Sequence, residues 1–462
     1  MDRRTFLKIG AAAGTGMFLN PLGMLGRLNS SGEVFGATSQ DPHFFIQILV
    51  PGGMDNSYLF DSRPLAMTQA KMIQNYLGTD PTRWTGANGV ETWASTLTDP
   101  LKSFRDDFSI LNGVVMSPTF DGHNQNMSLL MTGDPFGTEL FIPKIGPEDA
   151  MSALQKGAIP GGITFDNAGR VVQLDAQSAE ALISKLSTSQ MFSPDRAAFK
   201  YIQSRFQSLS SRFSTDGQFS QASAAMSQGF ALTPDLVQKI KQVQVIQDED
   251  QDHRFLALAL EFFKRGLTRS CLWIPDSKSR ADTHDPESAK QQPALFQGFV
   301  ALFADMIKTM KETPFDQTRS MYDVTTFMMC SEIGRTMRQK NAAFENTGTD
   351  HNSFNNMILL GGKGIVSGQV IGSTDFQTAG EVLSGAHQAA DTDLVKVMGR
   401  PFDFSTMQSR TDLPVELNLS DYLTGNSVMN TIYSAFGLPA DQYRLLQRND
   451  VVAPVIQGLL RS

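Results

Sequence analysis

The chain has 462 residues, of which 41% are hydrophobic and 19% charged. This composition can bury a substantial core, and the length fits one large domain with insertions or two or three smaller ones. The formal net charge is −8 at pH 7. Because an acidic protein binds nucleic acid poorly, we expect no nucleic-acid partner.

The first residues have the pattern of a twin-arginine export signal. Arg3 and Arg4 are followed by Phe6-Leu7-Lys8 and a weakly apolar run, although Asp2 stands where serine or threonine is usual. That run is too short and too interrupted for a stable membrane span. We predict a signal peptide over residues 1–36, a periplasmic or secreted protein, and no stable membrane insertion. Because this route exports folded proteins, it also favours a metal loaded before export.

The chain has two cysteines, and both lie inside apolar runs of strand length. This placement predicts that Cys271 and Cys330 are buried thiols. A single disulfide is the alternative, because an exported protein resides in an oxidising compartment.

Two apolar runs in the first part of the chain predict central strands, at His43–Val50 and Phe108–Met116. A run without alternation is typical of a strand covered on both faces, as in a parallel sheet. Gly52 and Gly53 follow the first run and let the backbone turn sharply, so that Asp55 lies at the carboxyl end of the strand. A turn-forming or helix-capping role is the alternative for Asp55.

A short helix is predicted after the second run, with Gly133 as its stop. His123 then lies near the helix N-terminus, where backbone N–H groups and the helix dipole favour an anion. A capping or surface histidine is the alternative.

Helical spacing of apolar residues predicts an insertion over about residues 178–266, with the stretch from Leu236 to Gly266 forming its last helix. This insertion either caps the site or lies remote from it. Two more helices are predicted, at 290–312 and at Asn426–Phe436 with Gly437 as the stop.

Polar residues also follow the next predicted strand, at Ser270–Pro275. Beyond it comes Asp282-Thr283-His284. If this tripeptide is extended, alternation places Asp282 and His284 on the same side, where one cation can bind both.

The richest stretch begins with a predicted strand at Val324–Cys330. Glu332 and Arg335 follow it, and Asp350-His351 precedes a further strand at Met357–Leu360. In open α/β sheets, ligands bind at such strand ends. The alternative is a surface ion pair between Glu332 and Arg335, with His351 in an ordinary loop. Another strand is predicted over residues 365–372.

Five motifs occur in a characteristic order: GGMD, GH…TG, DTH, SEIGRT…GTDH and NTIYSAFGLP. Together, from about His43 to Leu438, they resemble the domain-of-unknown-function 1501 family, exported proteins similar to the alkaline phosphatase and sulfatase superfamily. The resemblance implies an α/β, alkaline phosphatase-like fold with a mostly parallel central sheet between helices. It also implies a single domain over residues 41–455 that carries the helical insertion.

The same resemblance implies one or two divalent cations held by side chains at strand ends. The residues at the matching positions are Asp55, Asp282, His284, Glu332 and His351. Carboxylates and imidazoles of this kind suit Zn²⁺, Mn²⁺, Mg²⁺ or Ca²⁺, and the two histidines favour zinc or manganese.

The chain departs from the superfamily at the nucleophile. Counting back from Thr132-Gly133 places His123 where sulfatase-like enzymes have cysteine, serine or threonine, and neither Ser117 nor Thr119 is at that position. A histidine can attack phosphorus, bind metal or act as a general acid or base. Arg335 is the expected anion clamp, since its planar fork can hold phosphate or sulfate.

Two functions follow from these observations. The first is an exported metal-dependent hydrolase or transferase of phosphate or sulfate esters, with a small-molecule or polymer substrate. The second is a catalytically degenerate exported protein of the same fold that binds a polymer or a protein partner. The surviving metal positions favour the first and the missing nucleophile favours the second, because fold alone does not decide function.

Overall fold

A computed structural model describes most of the chain after residue 40, and every structural statement below concerns that part. The predicted signal peptide and most of the predicted helical insertion lie outside it. The described residues are 41–70, 73–117, 122–137, 140–145, 153–156, 171–173, 204, 238–240, 242–243, 250–275, 281–338, 348–376, 394–395, 397–412, 418–438 and 452–461.

These residues divide into two compact units. The smaller unit includes Ala153–Gln155, Val171–Gln173 and residues 250–270, and the larger includes Asp41–Ile145, Lys156 and the chain from Cys271 onward.

The described strands are numbered in chain order. They are β1 (Phe44–Leu49), β2 (Thr82–Thr85), β3 (Glu91–Ala94), β4 (Phe108–Val114), β5 (Ala153–Lys156), β6 (Val171–Gln173), β7 (Ser270–Trp273), β8 (Thr325–Cys330), β9 (Gly334–Arg335), β10 (Met337–Arg338), β11 (His351–Asn352), β12 (Asn356–Gly362), β13 (Val370–Ile371), β14 (Thr374–Phe376), β15 (Leu394–Val395), β16 (Val397–Gly399), β17 (Phe402–Asp403) and β18 (Gln408–Ser409).

The described α-helices are α1 (Leu65–Ala70), α2 (His123–Thr132), α3 (Gln251–Lys264), α4 (Pro286–Glu312) and α5 (Gly425–Ala435). Short 3₁₀ helices lie at Asn56–Tyr58, Thr96–Phe104, Ile142–Lys144, Tyr322–Val324, Leu419–Asp421 and Gln457–Leu459. None of these described helices has a stretch long and apolar enough to cross a bilayer.

A central sheet forms the middle of the larger unit, with its strands in the order β13-β4-β12-β8-β1-β7. β1 is parallel to β8 and β13 is parallel to β4, whereas β12 is antiparallel to both β4 and β8. Four strands therefore run in one direction, and β12 runs against them. In the smaller unit, β5 and β6 form a parallel pair. The predicted α/β fold with a mostly parallel central sheet is confirmed.

The central strands are apolar runs because both of their faces are covered. Every residue of β1, β4, β8 and β12 is buried. The strands predicted from these runs are confirmed, with boundaries shifted by at most two residues.

Two predicted boundaries are wrong. The stretch predicted as one helix from Leu236 is helical at residues 238–240 but not at Val243 or Asp250. A separate helix, α3, begins at Gln251, where the Asp250 side chain accepts hydrogen bonds from two backbone N–H groups of the first turn. The strand predicted over residues 365–372 is reduced to β13, because Gly368 and Gly372 have φ angles of 82° and 76° that interrupt an extended backbone.

The two cysteines are free and buried, as predicted. Burial raises the pKa of Cys330 to about 12 and that of Cys271 further still. Both therefore remain neutral thiols at physiological pH.

Candidate metal centre

The candidate site is assembled from segments that follow or precede the central strands. His123 begins α2 beyond β4, Glu332 and Arg335 follow β8, and Asp282 and His284 come after β7. His351 lies in β11, which pairs with β9 so that His351 faces Arg335 in the register. Since β4 and β8 run in the same direction, their carboxyl ends meet at one edge of the sheet.

The Nε2 atoms of three histidine rings lie close to one another. The Nε2 atom of His351 lies 2.9 Å from Nε2 of His123 and 3.0 Å from Nε2 of His284. The Asp282 Oδ1 atom adds a carboxylate oxygen, 3.3 Å from Nε2 of His284 and 3.5 Å from Nε2 of His123. We call these four residues the His₃Asp cluster. The three histidines form a group that can hold a metal ion.

Two glycines let the loops of the cluster approach closely. Gly52 has a φ angle of 102°, and a Cβ placed on it would lie 2.4 Å from the Asp282 backbone nitrogen. A Cβ on Gly348 would lie 2.1 Å from the carbonyl oxygen of Thr283. Only glycine fits such positions without moving a backbone segment.

Hydrogen bonds tie the loop of His284 to the loop of His351. The backbone N–H of Thr349 donates to the Thr283 carbonyl at 2.8 Å, and that of Gly348 donates to the His284 carbonyl at 2.9 Å. Thr283 is buried between the exposed Asp282 and His284, so the predicted alternation of this tripeptide is confirmed.

Glu332 lies behind His123, on the side away from the other rings. Its Oε1 atom is 2.8 Å from His123 Nδ1 and also accepts the Gly52 N–H at 2.8 Å, while Ser331 donates to Oε2 at 3.0 Å. A carboxylate on Nδ1 holds the proton there and leaves the Nε2 lone pair for the cluster. This position fits a supporting residue better than a direct ligand, and the ligand role of Glu332 stays a prediction.

Asp350 occupies the corresponding position behind His284, with Oδ1 3.5 Å from Nδ1. It also accepts the His351 backbone N–H at 2.8 Å. Sequence reasoning did not assign a role to Asp350, although its place beside His351 was the available signal.

Arg335 is buried and makes most of its hydrogen bonds inside the protein. Nε donates to the Gly52 carbonyl at 2.9 Å, and Nη2 donates to the same oxygen and to Asp282 Oδ1 at 2.6 Å. Nη1 lies 3.2 Å from His284 Nε2. The alternative of an ion pair with Glu332 is not what the structure shows. The anion-clamp role of Arg335 stays a prediction, because its guanidinium donates to Gly52, Asp282 and His284 of the protein itself.

Asp55 has the helix-capping role that was the alternative to a metal-ligand role. Its side chain accepts the Ser57 backbone N–H at 3.0 Å and caps the 3₁₀ helix that follows. Burial raises the pKa of Asp55 to about 7, against the opposing effect of the Ser57 hydrogen bonds. Among the described residues, Asp55 does not belong to the group of converging histidines, and its ligand role stays a prediction.

The electrostatic surroundings favour the metal-binding protonation states of His351, His284 and Asp282. Burial lowers the pKa of His351 to about 4, with further lowering by His123 and Arg335. Burial and then Arg335 also lower the pKa of His284. For Asp282, burial acts to raise the pKa, but the hydrogen bond and charge of Arg335 outweigh it and lower the pKa. Near pH 7 these two rings are neutral and Asp282 is ionised, which are the metal-binding forms.

The expected alcohol nucleophile is still missing from the matching position. His123 is the first residue of α2, with Gly122 before it, and Ser117 is fully buried. Thr119 lies outside the described residues. His123, held by Glu332, is therefore the side chain at the position that the resemblance assigns to the attacking group.

Solved structures share only a distant likeness with this chain. Ps i-CgsB covers 91% of this chain and 76% of its own length at 9% identity, with a TM-score of 0.34. Its complex with k-i-k-neocarrahexaose has the same coverage at 10% identity and a TM-score of 0.35. The PsFucS1 sulfatase from Pseudoalteromonas sp. covers 72% of this chain and 64% of its own length at 10% identity, with a TM-score of 0.27. These TM-scores are too low to carry an argument about the site.

None of the curated proteins matches this chain. A family model described as "Protein of unknown function (DUF1501)" matches residues 282–401. The matched stretch contains two of the five motifs that carried the resemblance, DTH and SEIGRT…GTDH, and with them Asp282, His284, Glu332, Arg335 and His351. The predicted resemblance to the domain-of-unknown-function 1501 family is confirmed over residues 282–401, which match the model of that family.

Proposed function

We propose that this protein is an exported metal-dependent hydrolase or transferase that acts on phosphate or sulfate esters. The observation that supports the proposal is the His₃Asp cluster, in which three imidazole nitrogens and one carboxylate oxygen face a common point. Three ring nitrogens this close together can share one cation. The donor set therefore fits a metal.

The chemistry of these donors favours zinc or manganese over magnesium or calcium. Three nitrogens and one oxygen are the ligand types of a catalytic zinc site, and hard cations prefer oxygen alone. When bound, such a metal polarises the ester oxygen and lowers the pKa of a bound water.

The protein's own residues have distinct roles in this proposal. His123, His284, His351 and Asp282 hold the cation, and Glu332 keeps the proton on His123 Nδ1 so that Nε2 can bind. A nitrogen that holds a cation is not free to attack phosphorus. We therefore favour His123 as a ligand, with water in place of the missing alcohol as the attacking group.

Elemental analysis of the mature protein, folded in cells and purified without chelator, tests the proposal. We expect about one equivalent of zinc or manganese, and its loss in a His284→Ala/His351→Ala double variant. His253→Ala is the matched control, because His253 is not one of the converging histidines among the described residues. A normally folded protein that contains no metal would contradict the proposal.

The second candidate is a non-catalytic exported protein that keeps the cation for structure and binds a polymer or a protein partner. The observation that favours it is the imidazole at the nucleophile position. A panel of phosphate and sulfate esters separates the two candidates. Turnover that disappears in the double variant supports the enzyme, whereas bound metal without turnover supports the second candidate.

The location of the protein is part of the proposal. Arg3 and Arg4 support export by the twin-arginine route to the periplasm or beyond. Fractionation of cells that express the wild type or an Arg3→Lys/Arg4→Lys variant tests it, with retention of the variant in the cytoplasm as the expected result.

A further inference from the structure

Arg335 donates hydrogen bonds to two atoms of the His₃Asp cluster. Nη2 lies 2.6 Å from Asp282 Oδ1, and Nη1 lies 3.2 Å from His284 Nε2. Nε and Nη2 also donate to the Gly52 carbonyl. The side chain is 0% exposed, whereas Asp282 is 45% exposed. The buried positive charge of Arg335 thus binds the same nitrogen and oxygen atoms that a metal would need.

These two uses of His284 Nε2 exclude each other. A neutral imidazole nitrogen has one lone pair, so it either accepts a hydrogen bond from Arg335 or binds a cation. Asp282 Oδ1 has lone pairs for both, but the guanidinium and a metal would repel each other across it. Occupation of the cluster must therefore release the Nη1 donor from His284.

We infer that Arg335 couples occupation of the cation site to the binding of an anion. This inference rests on the proposed function. In the arrangement described here, Arg335 neutralises Asp282, and its Nη1 group donates to His284 Nε2. Once His284 binds a cation, the released Nη1–H group lies beside the cluster and can hold the anionic part of an ester. Arg335 is then a positioning residue in one state and an anion donor in the other.

The coupling has a thermodynamic consequence that can be measured without turnover. If a cation frees the donor for an anion, an anion must raise the affinity for the cation by the same factor. We expect sulfate to tighten zinc binding at least about fivefold relative to chloride at equal ionic strength, which is the lower end of typical coupling.

Two substitutions of Arg335 separate the effect of its charge from the effect of its planar shape. Arg335→Gln removes the positive charge, so zinc should bind more tightly in chloride and sulfate should no longer matter. Arg335→Lys keeps the charge but loses the planar fork. It should bind zinc in chloride about as the wild type does, with a smaller sulfate effect. A purely structural role for Arg335 predicts the opposite for Arg335→Gln, namely weaker zinc binding.

The experiment is a calorimetric titration of zinc into the metal-depleted full-length mature protein and both variants, in sodium chloride and in sodium sulfate. The same titrations into a chelator correct for zinc–sulfate association. The inference is overturned if the wild type binds zinc equally in both salts, or if Arg335→Gln binds it no more tightly. The proposed function survives either result, whereas a wild type that binds neither zinc nor, in the same titration, manganese overturns both. If Arg335→Gln does not fold, the wild-type comparison between salts decides.

Discussion

Glu332 holds His123 from behind, with 2.8 Å between Oε1 and Nδ1. The carboxylate is fully buried and also accepts hydrogen bonds from the Gly52 N–H and the Ser331 hydroxyl. Such a pair fixes the orientation of a ring and its tautomer before any ligand arrives. His284 has a weaker counterpart in Asp350, which is 45% exposed and 3.5 Å away.

Replacing Glu332 with glutamine should weaken zinc binding by about 10–100-fold, the usual effect of losing such a supporting carboxylate. Glutamine keeps the shape of the side chain but removes the charge that holds the Nδ1 proton. Competition with a chromogenic chelator measures the affinity. Asp350→Asn is the matched control and should have a smaller effect, because its contact is longer and exposed.

The outcome also decides the role of Glu332. Complete loss of metal in a folded Glu332→Gln protein would make Glu332 a direct ligand, as the family resemblance implies. Affinity equal to that of the wild type would show that the contact with His123 contributes nothing to the site.

The fold of the larger unit was predictable because its central strands are continuous apolar runs. β1 and β8 could be recognised from composition alone, and polar residues after a buried strand indicate the ligand-binding edge. Boundaries set by a single residue were harder to predict. α3 begins at a capping aspartate rather than where helical spacing starts, and β13 is short because of two glycines.

The arrangement within the site was not predictable, because it depends on contacts between distant segments. His123 and Glu332 are 209 positions apart, and Arg335 meets the Gly52 carbonyl across 283 positions. The sequence indicated that these side chains gather at one edge. It did not indicate which of them face the cluster and which lie behind it.

Gly52→Ala should destabilise the protein and disturb the cluster. The φ angle of 102° is strained for alanine, at a cost of about 1–3 kcal/mol, and the new methyl group would overlap the Asp282 backbone nitrogen. Urea unfolding measures the loss. Gly78→Ala is the matched control, since Gly78 has a φ angle of 64° and no atom near its Cβ position.

Comparison with Gly78→Ala separates backbone strain, which both positions share, from steric overlap, which only Gly52 has. Gly78→Ala should cost less free energy of unfolding and leave zinc affinity unchanged, whereas Gly52→Ala should also weaken zinc binding by displacing Asp282. Equal destabilisation by the two variants, with zinc affinity intact in both, would show that the approach of Gly52 to Asp282 is not tight.

The two cysteines should be unreactive in the native protein. Both are free and buried, and burial raises the pKa of Cys330 to about 12, so the reactive thiolate is scarce at pH 8. A thiol-specific chromogenic reagent should label neither Cys271 nor Cys330 in the native protein and both in guanidinium chloride. No labelling after unfolding without reductant would instead reveal a disulfide.

Asp55 should make the stability of the metal-free protein fall as pH rises. Burial raises its pKa from the ordinary value of 3.8 to about 7 in the folded protein, so the folded state binds the proton more tightly. The resulting stabilisation is complete below pH 3.8 and is lost as the pH rises through 7. Between pH 5 and pH 8 the loss is about 3 kcal/mol. Asp55→Asn mimics the neutral acid and should lack this pH-dependent contribution to the free energy of unfolding.

Urea unfolding of the wild type and Asp55→Asn at pH 5 and pH 8, both with chelator present, measures the difference. Asparagine can still accept the Ser57 N–H, so the capping bond is retained and the comparison isolates the charge. The variant should gain stability relative to the wild type as the pH rises. An unchanged difference between the two proteins would mean that Asp55 is already ionised at pH 5 in the folded chain, because Arg335 and Ser57 then outweigh its burial. That result would favour the ligand role that the family resemblance implies, since a metal-binding carboxylate must be charged.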